Sequence, residues 1–598
     1  MNTLVKGSDA VAEFLKRCEV RIAFGIIGSA NSHIYDSISQ LGYTEVVTVH
    51  HEQAAVMAAG ATFRVTGKIG AAIVTAGAGA SNAITGVVSN WADSIPCIVI
   101  AGQEGTNHLR EDTSRRMYGT QGFDAAKMVS QVTKYASCVM DANSLQDVLE
   151  TALYAATSAR FGPVWLDIPF DVQAKVIPMR EWKLRKPVPV IIPKHEVRAV
   201  VAELKAARRP IVLGGNGVRL AGAQVEFFEF ATRTRIPVTL TWSAIDVLPT
   251  THPCYVGRWG VYGQRAANFC IQNADFVLVL GSRLAIPQVG YDFSQFARGA
   301  RIVVVDVEKC KHPIDVEIRG DCKCFLDSLL ESIDAPWEDR DGWMERCTSL
   351  VDAYPLVGPE HKDDGFINSY KFMAELSKHL DDDHIIVTDM GTALLSGHQT
   401  LALKEGQSMF TSLGLGEMGY GLPGALGAAF AQPERNVLCL NCDGGIMMNL
   451  QELHTIIEHD LRVKIVIFNN DGYLMIKHTQ QMLFKGKFVQ VDKKTGVGLP
   501  DYGRLLPAFG YKYYSMRSWD ESSEQALRNF FSEPCPSVLE VFMHPEQPLV
   551  PKVKGVAKED GSIVPAPIED MSPLLPFEEL ESRMIVDVSQ RSMGVKRG

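Results

Sequence analysis

Short apolar segments alternate with helix-patterned stretches along most of this chain, and that alternation limits the folds open to it. In the first third, the candidate strands are RIAFGII, GAAIVTA, IPCIVIAGQ and GPVWLDIP. Strands that alternate with helical segments predict βαβ units, in which neighbouring strands run parallel. The first third is therefore predicted to be an α/β domain with a mainly parallel sheet.

The same rhythm returns twice, which predicts three Rossmann-like parallel-sheet domains. The second set of strands is RPIVLGG, PVTLTW, DFVLVLGS and ARIVVVDVE, and the third is HIIVTD, NVLCLN, VKIVIFNN and SVLEVFM. The proline-rich segment KPVPVIIPK and the polar residues 334–366 are interpreted as linkers. The predicted domains are residues 1–185, 190–335 and 365–548, with an ordered tail over 549–598.

Charge and cysteine usage narrow the class of protein. The net charge is -10, which argues against nucleic acid or an anionic membrane as the main partner. Most of the twelve cysteines stand singly, a pattern typical of reduced thiols in a cytoplasmic protein. The N-terminus lacks an apolar signal core, and no uncharged apolar run approaches the roughly 20 residues of a membrane helix. We therefore expect a cytoplasmic protein that acts on small molecules.

Polar residues follow two neighbouring strands in the third predicted domain. Strand NVLCLNC ends at Asp443-Gly444-Gly445, and strand VKIVIF ends at Asn469-Asn470-Asp471-Gly472. Parallel strands present their carboxyl ends at one edge, where open α/β sheets bind ligands. A carboxylate and an amide oxygen suit Mg²⁺, and glycines let the backbone approach a diphosphate. The helix-patterned stretch IMMNLQELHTIIEH follows, and a helix N-terminus favours the charge of a diphosphate. Each segment alone is also a common turn sequence, but the pair favours a metal–diphosphate site.

This pair resembles the signature of thiamine-diphosphate enzymes, a Gly-Asp-Gly followed some two dozen residues later by Asn-Asn, with Cys442 in place of the first glycine. The wider chain resembles acetolactate (acetohydroxyacid) synthases in FGIIGSANSHIYD, HEQAA, TAGAGASNAITG, SIPCIVIAGQ, GYGLPGALGAA and MMNLQEL. The resemblance implies that the three domains bind the pyrimidine, FAD and the diphosphate, in that order. It also implies that Asp443, Asn470 and the Gly472 carbonyl hold Mg²⁺. The implied thiamine-diphosphate contacts are Asn82, Gly391, Thr392, Gly444, Gly445 and Tyr473.

Two catalytic candidates gain their meaning from this resemblance. Glu52 stands at the start of a helix-patterned segment, where a glutamate is common because it favours the helix dipole. In the family, a His-Glu-Gln motif, here His51-Glu52-Gln53, supplies the glutamate that hydrogen-bonds the aminopyrimidine and activates the cofactor. Met418 alone would be an ordinary core methionine, but in the family this position props the cofactor into its bent form.

The middle domain carries a glycine-rich turn, Gly214-Gly215-Asn216-Gly217, that could hold a phosphate. A nicotinamide dehydrogenase is the competing interpretation, although the turn lacks a full GxGxxG and leaves Asp443 and Asn470 unused. The resemblance implies FAD without redox use, although Ala285-Ile286-Pro287 replaces a family Asp-Asp-Arg. The implied FAD residues are Arg160, Gly214, Gly215, Asn216, Thr241, Gly260, Gly263, Arg283, Asp306 and Asp321.

The reaction expected is decarboxylation of a 2-keto acid, pyruvate first, with transfer of the two-carbon unit to a carbonyl acceptor. Asn31-Ser32-His33 stands where typical synthases have an apolar Ile-Leu-Pro, and Thr120-Gln121 stands where they have Phe-Gln. These replacements predict a roomier and more polar pocket. Gln121 is the candidate hydrogen-bond donor to the substrate. His33 either orients the acceptor, relays a proton or is structural. The tail DGSIVPAPIEDMSPLLP resembles enzymes that acetylate nucleotide-linked keto sugars, which makes such a sugar the favoured acceptor.

Other activities and states stay open. The alternatives are acetolactate synthase joining two pyruvates, a simple 2-keto acid decarboxylase or oxidase, and a non-catalytic homologue. Intact Glu52, Asp443 and Asn470 speak against the last. In the family, the pyrimidine-binding domain of one chain faces the diphosphate-binding domain of another. The resemblance therefore implies a homodimer or homotetramer with shared active sites.

Overall fold

The structure is a computed structural model that describes residues 3–109, 116–185, 187–338, 342–534, 536–557, 563–595 and 597. The chain separates into two compact units. The first comprises residues 1–188, 384–391 and 410–542, and the second comprises residues 189–383, 392–409 and 543–598. Residues 560–562, which open the tail segment quoted above, lie outside the described residues.

The first sheet belongs to the first unit and contains six parallel strands in the order β3-β2-β4-β5-β7-β6. β1 and β8 form a separate antiparallel pair. The strands are β1 (Thr3–Lys6), β2 (Ile22–Gly25), β3 (Glu45–Thr48), β4 (Gly70–Val74), β5 (Cys97–Gln103), β6 (Tyr135–Cys138), β7 (Val164–Pro169) and β8 (Val176–Met179). The helices are α1 (Gly7–Arg17), α2 (Ser32–Leu41), α3 (Glu52–Thr66), α4 (Ala78–Ala92), α5 (Thr106–Leu109), α6 (Ala125–Val129), α7 (Leu145–Thr157) and α8 (Phe170–Ala174).

The second sheet lies in the second unit, with six parallel strands in the order β11-β10-β9-β12-β13-β14. Its central strands are buried along their whole length, as expected for a sheet covered on both faces. The strands are β9 (Pro210–Gly214), β10 (Val238–Leu240), β11 (Tyr255–Arg258), β12 (Phe276–Leu280), β13 (Arg301–Asp306) and β14 (Val316–Arg319). The helices are α9 (Lys194–Ala206), α10 (Asn216–Leu220), α11 (Gln224–Thr234), α12 (Arg265–Asn273), α13 (Ile286–Val289) and α14 (Cys322–Leu330).

The segment expected to be the second linker is more ordered than the sequence indicated. It contains α15 (Trp343–Ala353), and α16 (Ser369–His379) follows it. Trp343, Cys347 and Leu350 of α15 are buried in the core of the second unit. The Trp343 indole donates a hydrogen bond to the Pro210 carbonyl, 2.9 Å away. The linker interpretation is therefore wrong over α15. The sequence did not indicate this helix, because it is mostly polar and buries only three residues, so its composition resembles that of a loop.

The third sheet completes the first unit, and its strand order is β16-β15-β17-β18-β20-β19. The pairs from β15 to β19 are parallel. Its elements, with those around it, are β15 (Ile385–Thr388), α17 (Thr392–Thr400), β16 (Ser408–Phe410), α18 (Gly421–Ala431), β17 (Val437–Cys442), α19 (Glu452–Glu458), β18 (Val463–Asn469), α20 (Leu474–Phe484), α21 (Tyr502–Ala508), β19 (Lys512–Met516), α22 (Glu521–Ser532) and β20 (Ser537–Phe542). The prediction of three parallel-sheet α/β domains is confirmed.

The last residues pack in the second unit as an ordered tail with β21 (Gly555–Ala557), β22 (Ile563–Pro565) and α23 (Phe577–Arg583). Buried amide side chains of α12 hold it. Asn268 donates to the Ile568 carbonyl at 2.8 Å, and Gln272 donates to Glu569 at 2.7 Å. Ile568, Met571 and Leu580 complete the core beneath. Across the described residues, none of the helices has the length and apolar character needed to span a bilayer.

Within the first unit, α3 of the first sheet packs against α18 of the third. Both helices are rich in alanine and glycine, and their facing residues are buried. A Cβ on Gly427 would lie 2.2 Å from the Ala58 carbonyl oxygen, so the two backbones approach as closely as glycine permits. This packing fixes the N-terminus of α3, where Glu52 stands, relative to the third sheet.

Candidate active site

The carboxyl ends of β17 and β18 bring Asp443 and Asn470 together. The two strands are paired in parallel register up to Cys442 and Phe468. The Asp443 carboxylate accepts the backbone N–H groups of Asn470 and Gly472, each at 3.0 Å, and that of Gly444 at 2.8 Å. The side chains of Asp443 and Asn470 are both buried. The predicted metal ligands are therefore neighbours at one edge of the sheet.

These residues fit a divalent cation. Burial raises the pKa of Asp443 to about 7, although three backbone N–H groups act in the opposite direction. A cation beside the carboxylate would restore its charged form. The Asn470 Oδ1 atom is buried and has no hydrogen-bond partner, which is unusual for a buried amide oxygen. A buried carboxylate and an unpartnered amide oxygen are the hard donors that Mg²⁺ takes.

The glycines around Asp443 allow other groups to pack directly on the loop. A Cβ on Gly444 would lie 2.4 Å from the Tyr473 ring, and one on Gly445 would lie 2.2 Å from Asp389 Oδ2. Gly391 has a φ of +108° and faces Cys442. Thr392, the other predicted diphosphate residue, begins α17 and belongs to the second unit.

The helix predicted to start at the diphosphate loop begins later than expected. Residues Ile446–Asn449 form a short 3₁₀ turn, and α19 starts only at Glu452. The helix-patterned stretch therefore begins directly after Gly445 as a 3₁₀ turn and becomes an α-helix only at Glu452. The loop is held by Asp389 and by the Tyr502 hydroxyl, which donates to the Asp443 carbonyl.

Asp389 is a buried carboxyl that sequence reasoning missed. It follows β15 and accepts N–H groups from Met390 and Gly419, both at 2.9 Å, and from Tyr420 at 3.1 Å. Burial raises its pKa to about 7. The signal was present in the sequence, because HIIVTD ends in an aspartate at a strand end, as NVLCLNC does before Asp443. Asp389 thus ties the Met418 segment to the diphosphate loop.

Two more polar side chains position the residues next to Met418. Asn449 donates to the Gly419 carbonyl at 2.7 Å and accepts from the Gln53 amide at 2.8 Å. The Glu417 carboxylate accepts from the Ser412 hydroxyl at 2.6 Å, and burial raises its pKa. The Met418 segment is therefore fixed on one side by the third sheet and on the other by the start of α3.

Glu52 is buried at the N-terminus of α3, with 7% of its surface exposed. The Asn82 side chain, a predicted cofactor contact, donates to Glu52 Oε2 at 3.0 Å. Gly79 packs against the other carboxylate oxygen, because a Cβ there would lie 3.2 Å from it. A glutamate that only served the helix dipole would be expected to face solvent. No hydrogen bond in the described part of the chain joins Glu52 to Asp443 or Asn470.

Gln121 packs against Gly77, which lies two residues before Gly79, the glycine that borders Glu52. The Gln121 Nε2 atom donates to the Ala76 carbonyl at 3.3 Å. Its backbone N–H is held by Glu104 at 3.0 Å. The predicted substrate donor and the predicted activating acid therefore pack against the same glycine-rich turn.

The triplet Asn31-Ser32-His33 contributes less to a pocket than the sequence indicated. Asn31 is buried, accepts the Gly28 N–H at 2.7 Å and donates to the Ile26 carbonyl at 3.1 Å. Ser32 donates to the Gly28 carbonyl at 2.7 Å. Both side chains are used within their own turn, so they do not widen or polarise a substrate pocket. His33 packs against Phe170, with ring centroids 4.7 Å apart, and burial lowers its pKa.

Some of the predicted FAD residues meet at the carboxyl edge of the second sheet. Gly214, Thr241 and Arg283 lie at or just after the ends of β9, β10 and β12, which pair directly. Gly215 and Gly217 pack on the backbone of Gly281, so the glycine-rich turn joins two strand ends. Asn216 opens α10 beside this turn. The Thr241 Oγ1 atom is buried without a partner, as a hydroxyl in a ligand site would be.

The remaining FAD candidates are used elsewhere or lie apart. Asp321 caps α14 by accepting the Lys323 N–H at 2.8 Å, and Asp306 accepts the Glu308 N–H at 2.9 Å. Gly263 belongs to the loop before α12. Arg160 is in the first unit, where its Nε atom donates to Ser94 at 2.7 Å. The residues that meet at the strand edge would fit part of a nucleotide, and the remaining candidates do not add to that fit.

Three family models match the chain in sequence order. They are the N-terminal TPP binding domain of thiamine pyrophosphate enzymes over residues 5–128, their central domain over 197–329, and their C-terminal TPP binding domain over 389–541. The third match includes Asp389, Met418, Asp443 and Asn470. The resemblance to thiamine-diphosphate enzymes is confirmed.

Relatives extend the match over nearly the whole chain. The chain is 32% identical to the acetolactate synthase isozyme 1 large subunit of Escherichia coli, over 92% of this chain and 95% of that protein. It is 30% identical to a probable acetolactate synthase large subunit of Methanocaldococcus jannaschii, over 96% and 98%. It is 31% identical to the Escherichia coli isozyme 2 large subunit, over 92% and 98%. The chain therefore belongs to the acetolactate synthase-like family of thiamine-diphosphate-dependent enzymes, which form carbon–carbon bonds.

Proposed function

We propose that this enzyme decarboxylates pyruvate and transfers the two-carbon unit to a second pyruvate, forming acetolactate. The observation that carries the proposal is the Glu52 carboxylate, buried at the start of α3 with Asn82 as its donor. A buried acid at this position has the chemistry needed to hold and move a proton on a heterocyclic cofactor. The full-length match to acetolactate synthase large subunits supports pyruvate as both donor and acceptor.

The residues take separate roles in this proposal. Asp443, Asn470 and the Gly472 carbonyl would hold Mg²⁺, and Gly391, Gly444 and Gly445 would let the diphosphate approach the backbone. Thiamine diphosphate, when bound, supplies the electron sink for loss of carbon dioxide. Glu52 would exchange a proton at its carboxylate, and Met418 would give the cofactor an apolar support. Gln121, which packs against the turn that also borders Glu52, donates a hydrogen bond to the substrate.

A nucleotide-linked keto sugar, the acceptor favoured by the tail sequence, is the second candidate. The observation in its favour is that His33 and Thr120 are polar at positions where typical synthases are apolar. The withdrawal of Asn31 and Ser32 into their own turn weakens it. The test is incubation with pyruvate, Mg²⁺, thiamine diphosphate and a panel of acceptors, with mass spectrometry of the ligated products. A branched sugar formed faster than acetolactate would reverse the order of the two candidates.

Glu52→Gln tests the proposed activation directly. We expect turnover to fall by about 10²- to 10⁴-fold, the usual contribution of one proton-transfer group. Binding of Mg²⁺ and the diphosphate should stay nearly unchanged, since neither contacts Glu52 in this proposal. The matched control is Glu45→Gln, because Glu45 is exposed on the neighbouring strand β3. Full activity of Glu52→Gln would remove the basis of the proposal.

We also propose FAD as a structural cofactor at the edge of the second sheet, with Gly214, Thr241 and Arg283 around it. The unpartnered Thr241 hydroxyl supports this. The absorbance spectrum of the purified protein tests it, because bound flavin gives a visible band. A spectrum without that band, unchanged by added FAD, would contradict the proposal. A cytoplasmic location fits the free thiols of the described cysteines.

A further inference from the structure

A cavity of about 250 Å³ lies within the second unit, between the start of α12, the segment after α15 and the tail. Arg265, Tyr354, Leu356, Glu360, Gln399 and Leu574 are among its lining residues. Of the predicted FAD residues, only Gly263 lines it. The others are at the strand ends or in the first unit. This cavity is therefore separate from the strand edge discussed above, and the proposed reaction makes no use of it.

Arg265 supplies the positive charge in the wall of this cavity, and only 8% of its surface is exposed. Its guanidinium donates to the Pro573 carbonyl at 2.7 Å and, at 3.3 Å, to the Met571 carbonyl. A guanidinium has five N–H groups, so three remain. Among the residues described, no carboxylate lies within ion-pair distance of Arg265, and burial lowers its pKa. The Tyr354 ring, 5.8 Å away, and the carboxylates of Glu360, Asp570 and Glu579 favour the charged form of Arg265, but burial outweighs them.

The other polar groups of the wall are already bonded. Gln399 donates to the Pro551 carbonyl at 2.7 Å and accepts from the Tyr370 hydroxyl at 2.8 Å. Gln264 donates to the Gln399 carbonyl at 2.6 Å. The Tyr354 hydroxyl donates to Glu579 at 2.8 Å. Arg265 is thus the group with donors left for a ligand.

The rest of the wall sets the size and charge of that ligand. Prolines and leucines of the segments 355–359 and 573–575 make the surface largely apolar. Glu360 also lines the cavity, with its carboxylate folded over Gly358, and its negative charge disfavours a multiply charged anion such as phosphate. A carboxylate needs two parallel N–H groups for a bidentate pair with arginine. The volume is below the roughly 300–1,000 Å³ typical of larger ligands.

We propose that this cavity is a second binding site, which takes a small aliphatic monocarboxylate with its carboxylate on Arg265. The ligand bridges α12 and the tail, because the carbonyls that hold Arg265 belong to residues 571–573. Binding therefore stabilises the docked tail. The site acts independently of the proposed active site, and its test does not depend on catalysis.

The test is calorimetric titration of the full-length protein with isobutyrate as probe, alongside isobutanol and inorganic phosphate. We expect isobutyrate to bind and the other two to bind at least tenfold more weakly, about 1.4 kcal/mol or more. Arg265→Gln should weaken isobutyrate binding by at least about tenfold. Because Arg265 also holds the tail, Leu356→Trp provides a second variant that fills the cavity and leaves the guanidinium in place.

Two control variants locate the binding. Arg198→Gln changes an exposed arginine of α9, and Asp443→Ala changes the proposed metal site. Both should bind isobutyrate as the wild type does. Absence of wild-type binding at millimolar isobutyrate would overturn the proposal. So would binding that survives Leu356→Trp, binding lost in Asp443→Ala, or isobutanol binding as tight as that of isobutyrate.

Discussion

Replacing Gly445 with alanine tests whether the diphosphate loop depends on contact with Asp389. Gly445 has φ -68° and ψ -44°, a right-handed helical conformation that alanine adopts readily. The backbone therefore does not require glycine, and any effect of Gly445→Ala comes from the added methyl group. That methyl carbon would lie 2.2 Å from Asp389 Oδ2, whereas ordinary contacts begin near 3.4 Å.

The size of the effect follows from which partner moves. Asp389 is held by three backbone N–H groups at 2.9–3.1 Å, so the loop is the side that gives way. Relief of this overlap requires the loop to shift by about 1 Å. Overpacking of this kind lowers the free energy of unfolding by about 1–3 kcal/mol. A 1 Å displacement of a positioning group costs about 10²-fold in rate. We expect turnover to fall more than stability.

The assays are urea unfolding, fluorescence titration with thiamine diphosphate and Mg²⁺, and pyruvate consumption. The matched control is Gly498→Ala, because a Cβ at Gly498 meets no atom within 4 Å. That variant should keep wild-type activity and lose no stability. If Gly445→Ala bound the cofactor and turned over as the wild type does, the packing of this loop on Asp389 would have no functional consequence.

Two further predictions concern a buried acid and the assembly. Burial raises the pKa of Asp167 to about 7, so its contribution to stability is complete below about pH 4 and is lost as pH rises through 7. Urea unfolding at several pH values should show this loss, up to about 4 kcal/mol, and Asp167→Asn should remove it. If active sites are shared between subunits, mixed and reassembled Glu52→Gln and Asp443→Ala chains should regain about a quarter of wild-type activity, whereas each alone is inactive. No recovery on mixing, with mixed dimers present, would contradict shared sites.

The buried strands were predictable because sheets covered on both faces leave long apolar runs in the sequence. The twelve predicted segments all contain strands, from β2 in RIAFGII to β20 in SVLEVFM. Edge strands such as β6 and β14 were missed, because their residues are partly exposed and their composition resembles that of loops. The helix α15 was missed for a similar reason, since three apolar anchors in a polar segment give little periodicity.

The sequence alone determined the family and the two strand ends that carry Asp443 and Asn470. Both can be recognised from short segments of consecutive residues, without knowledge of the tertiary contacts. Only the tertiary structure decided how the side chains between them are used. It assigned Asn82 to Glu52, Asp389 to the Met418 segment, and Asn31 to its own turn rather than to a pocket. These partners are distant in sequence or compete with solvent for the same hydrogen bonds. Burial settles that competition, and burial depends on the whole fold.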